Sequence, residues 1–526
     1  MEEAGRVIRE WVHVYGAADA NVALLLNDRH PAADTAVTEV TADLEVRDLS
    51  FADLRERSER RAATLRALGV RAGDRVGTFM EKGHEQAVTA LAIWRLGAVQ
   101  MPLFTALAPS AVAQRAHDAA ATAIICDPAH AEPLRQDLNA APWDVHTTDE
   151  LDAAAPADPV PSVAVGGDAP FLLVYTSSPT GPPRGVPVPV RALAAFHSYF
   201  HFGLDVTPSD VYWNATDPGW GYGLYYGLVA PLLAGHATVQ LRAGFDPELT
   251  LDVLSTLGVT NFTATPAVYR ALRATVKTLP PEIMPRRLSS AGEPLGSELA
   301  GWAFDLFGTP LYEHYDKTEL GVVAGYAHHA DAHVPVRGGS AGRAMPGWTL
   351  SVLDAVDDNE AKPGDPGRLA VATAPDASPL MWFTGYHNNP AASANRFSPD
   401  GDWYVTGDAG TQDEDGYLFF SSRDHDAIVT YGYRVSPMDV ENALLGHPAV
   451  AEAAVFGVPD EIAGQLVAAD VVLTPGQTGD DAMAQVLQDY VRERFASHAF
   501  PRRVSFVSRL PRTASGKMRR GRVPRA

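Results

Sequence analysis

The stretch Arg75-Val76-Gly77-Thr78-Phe79-Met80, followed by Glu85 to Leu96 and then by Ala98-Val99-Gln100-Met101-Pro102-Leu103, decides the fold class. Two short apolar runs bracket a segment whose apolar residues recur at helical spacing, and the pattern repeats with Ala111 to Ala119 before Ala123-Ile124-Ile125-Cys126. Strand and helix alternating on this scale predict a mainly parallel sheet covered by helices, because a crossover segment must carry the chain back to each parallel neighbour. Upstream, residues 49–68 place apolar groups at helical spacing between Arg and Glu and stop at Gly69, which predicts a surface helix packed on one face. Downstream, residues 127–167 are rich in Ala, Pro and Asp and carry no strong pattern.

The next apolar run, Ala169-Pro170-Phe171-Leu172-Leu173-Val174, reads as a short buried strand. It leads into Tyr175-Thr176-Ser177-Ser178-Pro179-Thr180-Gly181-Pro182-Pro183-Arg184-Gly185. Four hydroxyl residues followed by two glycines can present hydroxyls and backbone N–H groups to a polyphosphate. No Gly-Lys-Ser/Thr ends the stretch, so it is not a Walker loop, and a solvent loop of Ser, Thr, Pro and Gly has the same composition.

At 526 residues the chain exceeds one ordinary core, and its 46% hydrophobic content is that of a folded protein of two or more domains. No run of 18 apolar residues and no signal-peptide pattern at the N-terminus is present, so a cytoplasmic protein without a membrane span is expected. The net charge of −22 argues against nucleic acid as a partner. Cys126, the single cysteine, excludes an intramolecular disulfide and a cysteine metal cluster. Of 42 basic residues five are lysines: Lys82, Lys277, Lys317, Lys362 and Lys517.

Past the loop, Arg191 to Phe200 reads as helix and Val211 to Thr216 as strand. Then Trp220-Gly221-Tyr222-Gly223-Leu224-Tyr225-Tyr226-Gly227 alternates aromatics with glycines. Such a stretch either lines an apolar pocket or packs in the core. A further strand-helix passage runs from Ala237 to Pro266. Ser290 to Leu295 reads as a loop, and Tyr312-Glu313-His314-Tyr315-Asp316-Lys317-Thr318-Glu319 is a compact polar cluster. His328, His329, Asp331 and His333 have metal-ligand side chains, but paired histidines in a polar loop are more often solvated. From Gly339 onward short alternating segments predict a small β-rich subdomain, and after about residue 423 a separate α/β unit begins.

Taken in order, these motifs resemble the adenylate-forming superfamily of acyl-CoA synthetases, peptide-synthetase adenylation domains and luciferases, over Leu49 to Arg520. The resemblance implies an α/β fold: a large N-terminal domain, residues 1–422, of mainly parallel sheets covered by helices plus the small β-rich subdomain, followed by a small mobile α/β C-terminal domain, residues 423–526. It implies that Thr176, Ser177, Ser178, Thr180, Gly181 and Arg184 belong to a phosphate loop, and that Gly292, Glu293 and Pro294 lie beside adenine. Tyr315 would stack on adenine, Thr318 would contact the α-phosphate and Glu319 would hold Mg2+. Asp408, in Tyr404-Val405-Thr406-Gly407-Asp408, would accept hydrogen bonds from the ribose, and Arg423 would contact ribose or phosphate. Asp426 would sit at the hinge, Lys517 would bridge carboxylate and phosphate during adenylation, and Gly432 would pass the pantetheine arm of CoA beside the bulky Tyr431. Trp220, Gly221, Tyr222 and Gly223 would line a pocket for a hydrophobic carboxylic acid. ATP, Mg2+, CoA and the AMP moiety of an acyl adenylate are the cofactors and intermediates implied.

The phosphate loop departs from the family pattern three times: Ser178 stands for glycine, Pro179 for serine and Arg184 for lysine. Proline removes a backbone donor, serine does not freely take positive φ, and arginine is not a point charge. These changes fall on the part that handles the β- and γ-phosphates, so the expectation is an acyl-CoA ligase whose adenylation step is weak or lost. Its true substrate would be a preformed acyl adenylate supplied by a partner ligase. A complete two-step synthetase, an enzyme that loads a carrier protein, and a nucleotide-binding regulator stand as alternatives.

Overall fold

The computed structural model describes residues 2–137, 143–154, 158–176, 183–354, 358–423, 428–430, 433–435, 437–460, 464–494 and 499–511. Its contacts divide the chain into two compact units: Met1–Arg337 with Ala341–Thr349 and Ala372–Asp402, and Gly338–Ser340 with Leu350–Val371 and Trp403–Ala526.

The first unit contains two sheets. One has six strands in the spatial order Asp144–Thr147, Ala123–Cys126, Arg75–Phe79, Val99–Pro102, Pro170–Thr176 and Arg184–Pro189. All neighbours are parallel except the last two, which form an antiparallel hairpin. The helices His84–Arg95 and Pro109–Asp118 supply the crossovers expected from the opening stretch. The helix expected over 49–68 runs Phe51–Ala67, because Ser50 ends a strand and caps the helix by accepting the Asp53 N–H at 3.0 Å. Phe51, Leu54, Ala62 and Leu65 form its buried face.

The patternless stretch after 127 holds the helix Pro128–Asp137, a strand and the helix Thr148–Ala153, the last closed by a Thr147/Glu150 capping box.

The second sheet has nine strands and a parallel centre: Leu311–Lys317, Arg287–Ala291, Asn261–Ala264, Tyr212–Asn214, Thr238–Arg242 and Thr35–Thr41 lie side by side. Antiparallel strands complete both margins. Trp213, Phe262, Leu288 and Leu241 pack from this sheet against Leu254, Leu272 and Leu299 of flanking helices. Each such side chain, fully removed from water, contributes about 1.5–3 kcal/mol before chain entropy is set against it.

In the second unit, Leu350–Leu353, Gly367–Ala372, Trp403–Gln412 and Leu418–Arg423 form a four-stranded sheet, matching the short alternating segments of the sequence. Beyond it Val450–Asp460 and Gly464–Leu473 pair antiparallel over a core of Val455, Val467, Leu444, Leu487 and Val491. Among the described residues no helix is long and apolar enough to cross a membrane.

Candidate active site

The phosphate-loop motif is carried by the hairpin at the margin of the six-stranded sheet, where Thr176 stands directly opposite Arg184. Ser177, Ser178, Thr180 and Gly181 lie outside the described residues, as do Asp426, Gly432 and Lys517. The Arg184 guanidinium sits 5.4 Å from the centre of the Tyr386 ring, a distance at which a cation is attracted to the aromatic face.

In the nine-stranded sheet, Ala291 pairs with His314 across parallel strands, so Gly292 and Tyr315 follow as neighbours at the ends of those strands. A side-chain carbon on Gly292 would lie 3.8 Å from the Trp220 indole, so the Gly292-Glu293-Pro294 motif and the first residue of the aromatic stretch share one locality. Glu293 is held by Arg270, whose Nη2 donates to its Oε2 at 2.6 Å, and Pro294 is exposed. Tyr315 is half-buried, with the Lys317 ammonium 5.5 Å from its ring centre.

Beyond the strand the chain turns at Thr318-Glu319, closed by the Leu320 N–H donating to the Lys317 carbonyl at 3.0 Å. Tyr225 donates its hydroxyl to the Thr318 carbonyl at 3.0 Å. Gly321 ends the turn at φ +79, and a side-chain carbon there would lie 2.5 Å from the Tyr226 hydroxyl, so both conformation and space demand glycine.

Glu319 is buried, and its Oε1 accepts the Tyr386 hydroxyl at 2.5 Å. Among the described residues its Oε2 takes no hydrogen bond. A hard carboxylate oxygen with capacity to spare suits Mg2+, which is ordinarily held by one or two carboxylates together with substrate phosphates rather than by a protein cage. No cluster of three or more His, Cys, Asp or Glu able to hold a metal occurs among the described residues. His328 instead stacks on Tyr312 and its Nε2 lies 3.1 Å from both the Ser289 hydroxyl and the Leu288 carbonyl, while His329 packs against His201.

The aromatic-glycine stretch is a helix with a π-helical turn, Gly221–Leu224 and Tyr225–Val229, and Tyr222, Tyr225 and Tyr226 are all buried in it. His314 Nε2 lies 2.9 Å from the Tyr326 carbonyl and must donate to it, leaving Nδ1 to accept from Tyr199 at 2.7 Å. The Tyr199 oxygen then accepts from Tyr222 at 2.8 Å, so the relay runs Tyr222 to Tyr199 to His314. Burial pushes the His314 imidazole down to about 4, which keeps this relay uncharged. A side-chain carbon on Gly223 would lie 2.1 Å from the Asp217 carbonyl, and one on Gly221 3.5 Å from Thr318 Cγ2. Of the four pocket residues expected here, Trp220 is half-buried beside Gly292, whereas Gly221, Tyr222 and Gly223 are buried.

In the second unit Asp408 stands opposite Arg423 across an antiparallel pair, and the Asp408 N–H donates to the Thr406 hydroxyl at 3.1 Å. Cys126 is buried, and burial pushes its thiol up to about 12, as befits a packing residue.

Sequence reasoning passed over Tyr386 and Arg396, which reach Glu319 directly and through the phenol. The local signal was Thr384-Gly385-Tyr386-His387-Asn388-Asn389-Pro390, a turn-rich run that gives no hint of a partner 67 residues upstream.

Comparison with known proteins agrees with this layout. The family model described as AMP-binding enzyme matches residues 26–386, and that of the AMP-binding enzyme C-terminal domain matches 439–517. The acetyl-coenzyme A synthetase of Bacillus subtilis is 31% identical over 511 residues, covering 90% of this chain and 84% of its own. An acyl-CoA synthetase of Brucella canis superposes with TM-score 0.75 at 37% identity, over 99% of this chain and 97% of its own. A benzoate CoA ligase of Burkholderia xenovorans does so with TM-score 0.83 at 27% identity, over 95% and 99%. With both family models matched in chain order around these motifs, the chain belongs to the AMP-binding enzymes, in the acyl-CoA synthetase branch of the adenylate-forming superfamily.

Proposed function

We propose that this protein joins a hydrophobic carboxylic acid to the thiol of CoA through an acyl-adenylate intermediate, and that its ATP-dependent half-reaction is slow. The observation that carries the reading is the convergence of Gly292, Tyr315 and the Thr318-Glu319 turn on one end of the nine-stranded sheet, beside the half-buried Trp220. Tyr315 offers a flat face for the base and Thr318 a hydroxyl for the α-phosphate. Mg2+, held by Glu319, would neutralise phosphate charge. In the second unit Asp408 supplies a carboxylate for the ribose hydroxyls and Arg423 a guanidinium for ribose or phosphate. Lys517 serves adenylation, Asp426 the hinge between the two half-reactions, and Gly432 the approach of the pantetheine thiol.

The carboxylate of the acid attacks the α-phosphorus and pyrophosphate leaves. The CoA thiol then attacks the acyl carbonyl and AMP leaves. The acid would lie against Trp220; Tyr222 is tied into its relay and Tyr225 into the Thr318 turn, so neither hydroxyl is offered to it. An aromatic or medium-length acid suits that surface, in keeping with the benzoate CoA ligase among the structural neighbours.

The slow half-reaction rests on the three loop departures, among them an arginine in place of a point-charge lysine. Each lost donor to a developing anion lowers a rate by roughly 10²–10³. Preformed adenylate from a partner ligase would then feed the second step. A complete two-step ligase is the competing reading, favoured by the bracing of Glu319, a residue that serves only the ATP step. ATP–pyrophosphate exchange with candidate acids, run beside thioester formation from synthetic acyl adenylate and CoA, separates the two. Thioester with little exchange supports the proposal; vigorous exchange replaces it with the two-step ligase; no thioester from adenylate shifts the assignment to carrier loading.

A further inference from the structure

Resting on the acyl-adenylate reading, we propose that Tyr386 is a positioning residue: it orients Glu319 toward the divalent cation of a metal–nucleoside triphosphate and ties that carboxylate to Arg184 of the phosphate loop. The phenol is buried and its contacts leave its proton one direction. Arg396 Nε donates to the phenolic oxygen at 3.0 Å, and the hydroxyl donates to Glu319 Oε1 at 2.5 Å. With Oε1 engaged, the carboxylate is fixed in rotation and Oε2 becomes the oxygen presented to a cation.

The face of the same ring carries the Arg184 guanidinium. The chain around Tyr386 is held to the hairpin stem and to the neighbouring helix: the His387 N–H donates to the Gly185 carbonyl at 2.8 Å, and Asn388 Nδ2 to the carbonyl of Asp118, which ends the helix Pro109–Asp118, at 3.2 Å. A side-chain carbon on Gly185 would lie 3.2 Å from His387 Cβ, tighter than ordinary contact, so the stem and the 386–388 turn are pressed together. Both groups that would meet the cation and the outer phosphates are therefore hinged on one side chain. An acyl adenylate carries neither cation nor outer phosphates, and its affinity is independent of this arrangement.

The test uses the full chain, Mn2+ as probe and an ATP analogue with a methylene bridge between the α- and β-phosphates, with free Mn2+ read by electron paramagnetic resonance. Tyr386→Phe keeps the ring for Arg184 but removes the proton from Glu319. It should raise the Mn2+ Kd in the ternary complex about tenfold, the loss expected for one hydrogen bond to a charged group. Its affinity for AMP should stay within about twofold of wild type, which also certifies the fold. Arg396→Gln, which leaves the phenol its proton but not its direction, should move the Mn2+ Kd the same way by a smaller factor. An unchanged Mn2+ Kd in Tyr386→Phe, or an equal loss of AMP affinity, overturns the proposal. A wild-type chain that makes thioester from preformed adenylate yet takes no Mn2+ with the analogue overturns it too, and leaves the ligase reading standing. Mn2+ bound tightly by wild type and weakly by Tyr386→Phe, with no thioester from any adenylate, upholds the proposal and removes the ligase reading.

Discussion

The turn at Thr318-Glu319 and the hairpin stem at Thr176 and Arg184 are built by different means. The turn is locked from inside: Tyr225 holds the Thr318 carbonyl, Tyr386 holds the Glu319 carboxylate, and Gly321 meets the Tyr226 hydroxyl with no room for a side chain. The stem is fixed by its strand pairing and by the His387 N–H donating to the Gly185 carbonyl. A site braced by packing tolerates little change in sequence. A site made of backbone donors and loop hydroxyls changes chemistry when two or three residues change and leaves the fold intact. On the proposed reading, that difference lets the turn keep its residues beside a loop that changes at Ser178, Pro179 and Arg184.

The comparison is tested hardest at Glu319. Glu319→Gln should lower ATP–pyrophosphate exchange by roughly 10²–10³ while leaving thioester formation from preformed adenylate within a few-fold; equal losses in both assays would mean that the turn serves the whole reaction. Gly321→Ala should destabilise the fold by about 3 kcal/mol, from positive φ and the clash with Tyr226 together, read as a lowered urea midpoint with unchanged slope. A midpoint equal to wild type would remove the claim that packing locks the turn. The triple change Ser178→Gly, Pro179→Ser, Arg184→Lys should raise exchange by about tenfold to a hundredfold with no change in urea midpoint. If the triple variant binds ATP and gains no exchange, the loop is not what slows adenylation.

The smallest effect is in pH. His314 titrates near 4 in the folded chain and about 6.5 unfolded, so between those values the unfolded chain binds the extra proton and stability falls as pH falls. From pH 6.5 to 5.5 this one group should cost about 1 kcal/mol. His314→Asn should flatten the slope measured by urea unfolding at a series of pH values. An undiminished slope would place the effect on His197 or His328, which burial pushes in the same direction.

The α/β class was legible because the alternation from Arg75 to Cys126 obeys local rules of apolar spacing. The helix Phe51–Ala67 was legible for the same reason, its start displaced only by the strand that ends at Ser50. The helix Thr148–Ala153 left a readable mark in Thr147 and Glu150, three residues apart, obscured by the Ala and Pro around it. The aromatic-glycine stretch admitted both a pocket and a core reading. Burial sends Tyr222, Tyr225 and Tyr226 to the core and leaves Trp220, the extended residue just before their helix, beside Gly292, a division that the alternation of aromatics and glycines does not encode.

By itself the sequence determined the order of motifs, and with it the fold class and the superfamily, since each motif is a local pattern of residue types whose chemistry is short-ranged. Only the tertiary structure decided who braces whom. The contacts from Tyr386 to Glu319, from Arg184 to the Tyr386 ring and from Tyr222 through Tyr199 to His314 join residues 67, 202 and 92 positions apart. Nothing in the spacing of such residues links them, because a hydrogen bond or a cation over a ring is formed by proximity in space, which only the folded chain supplies.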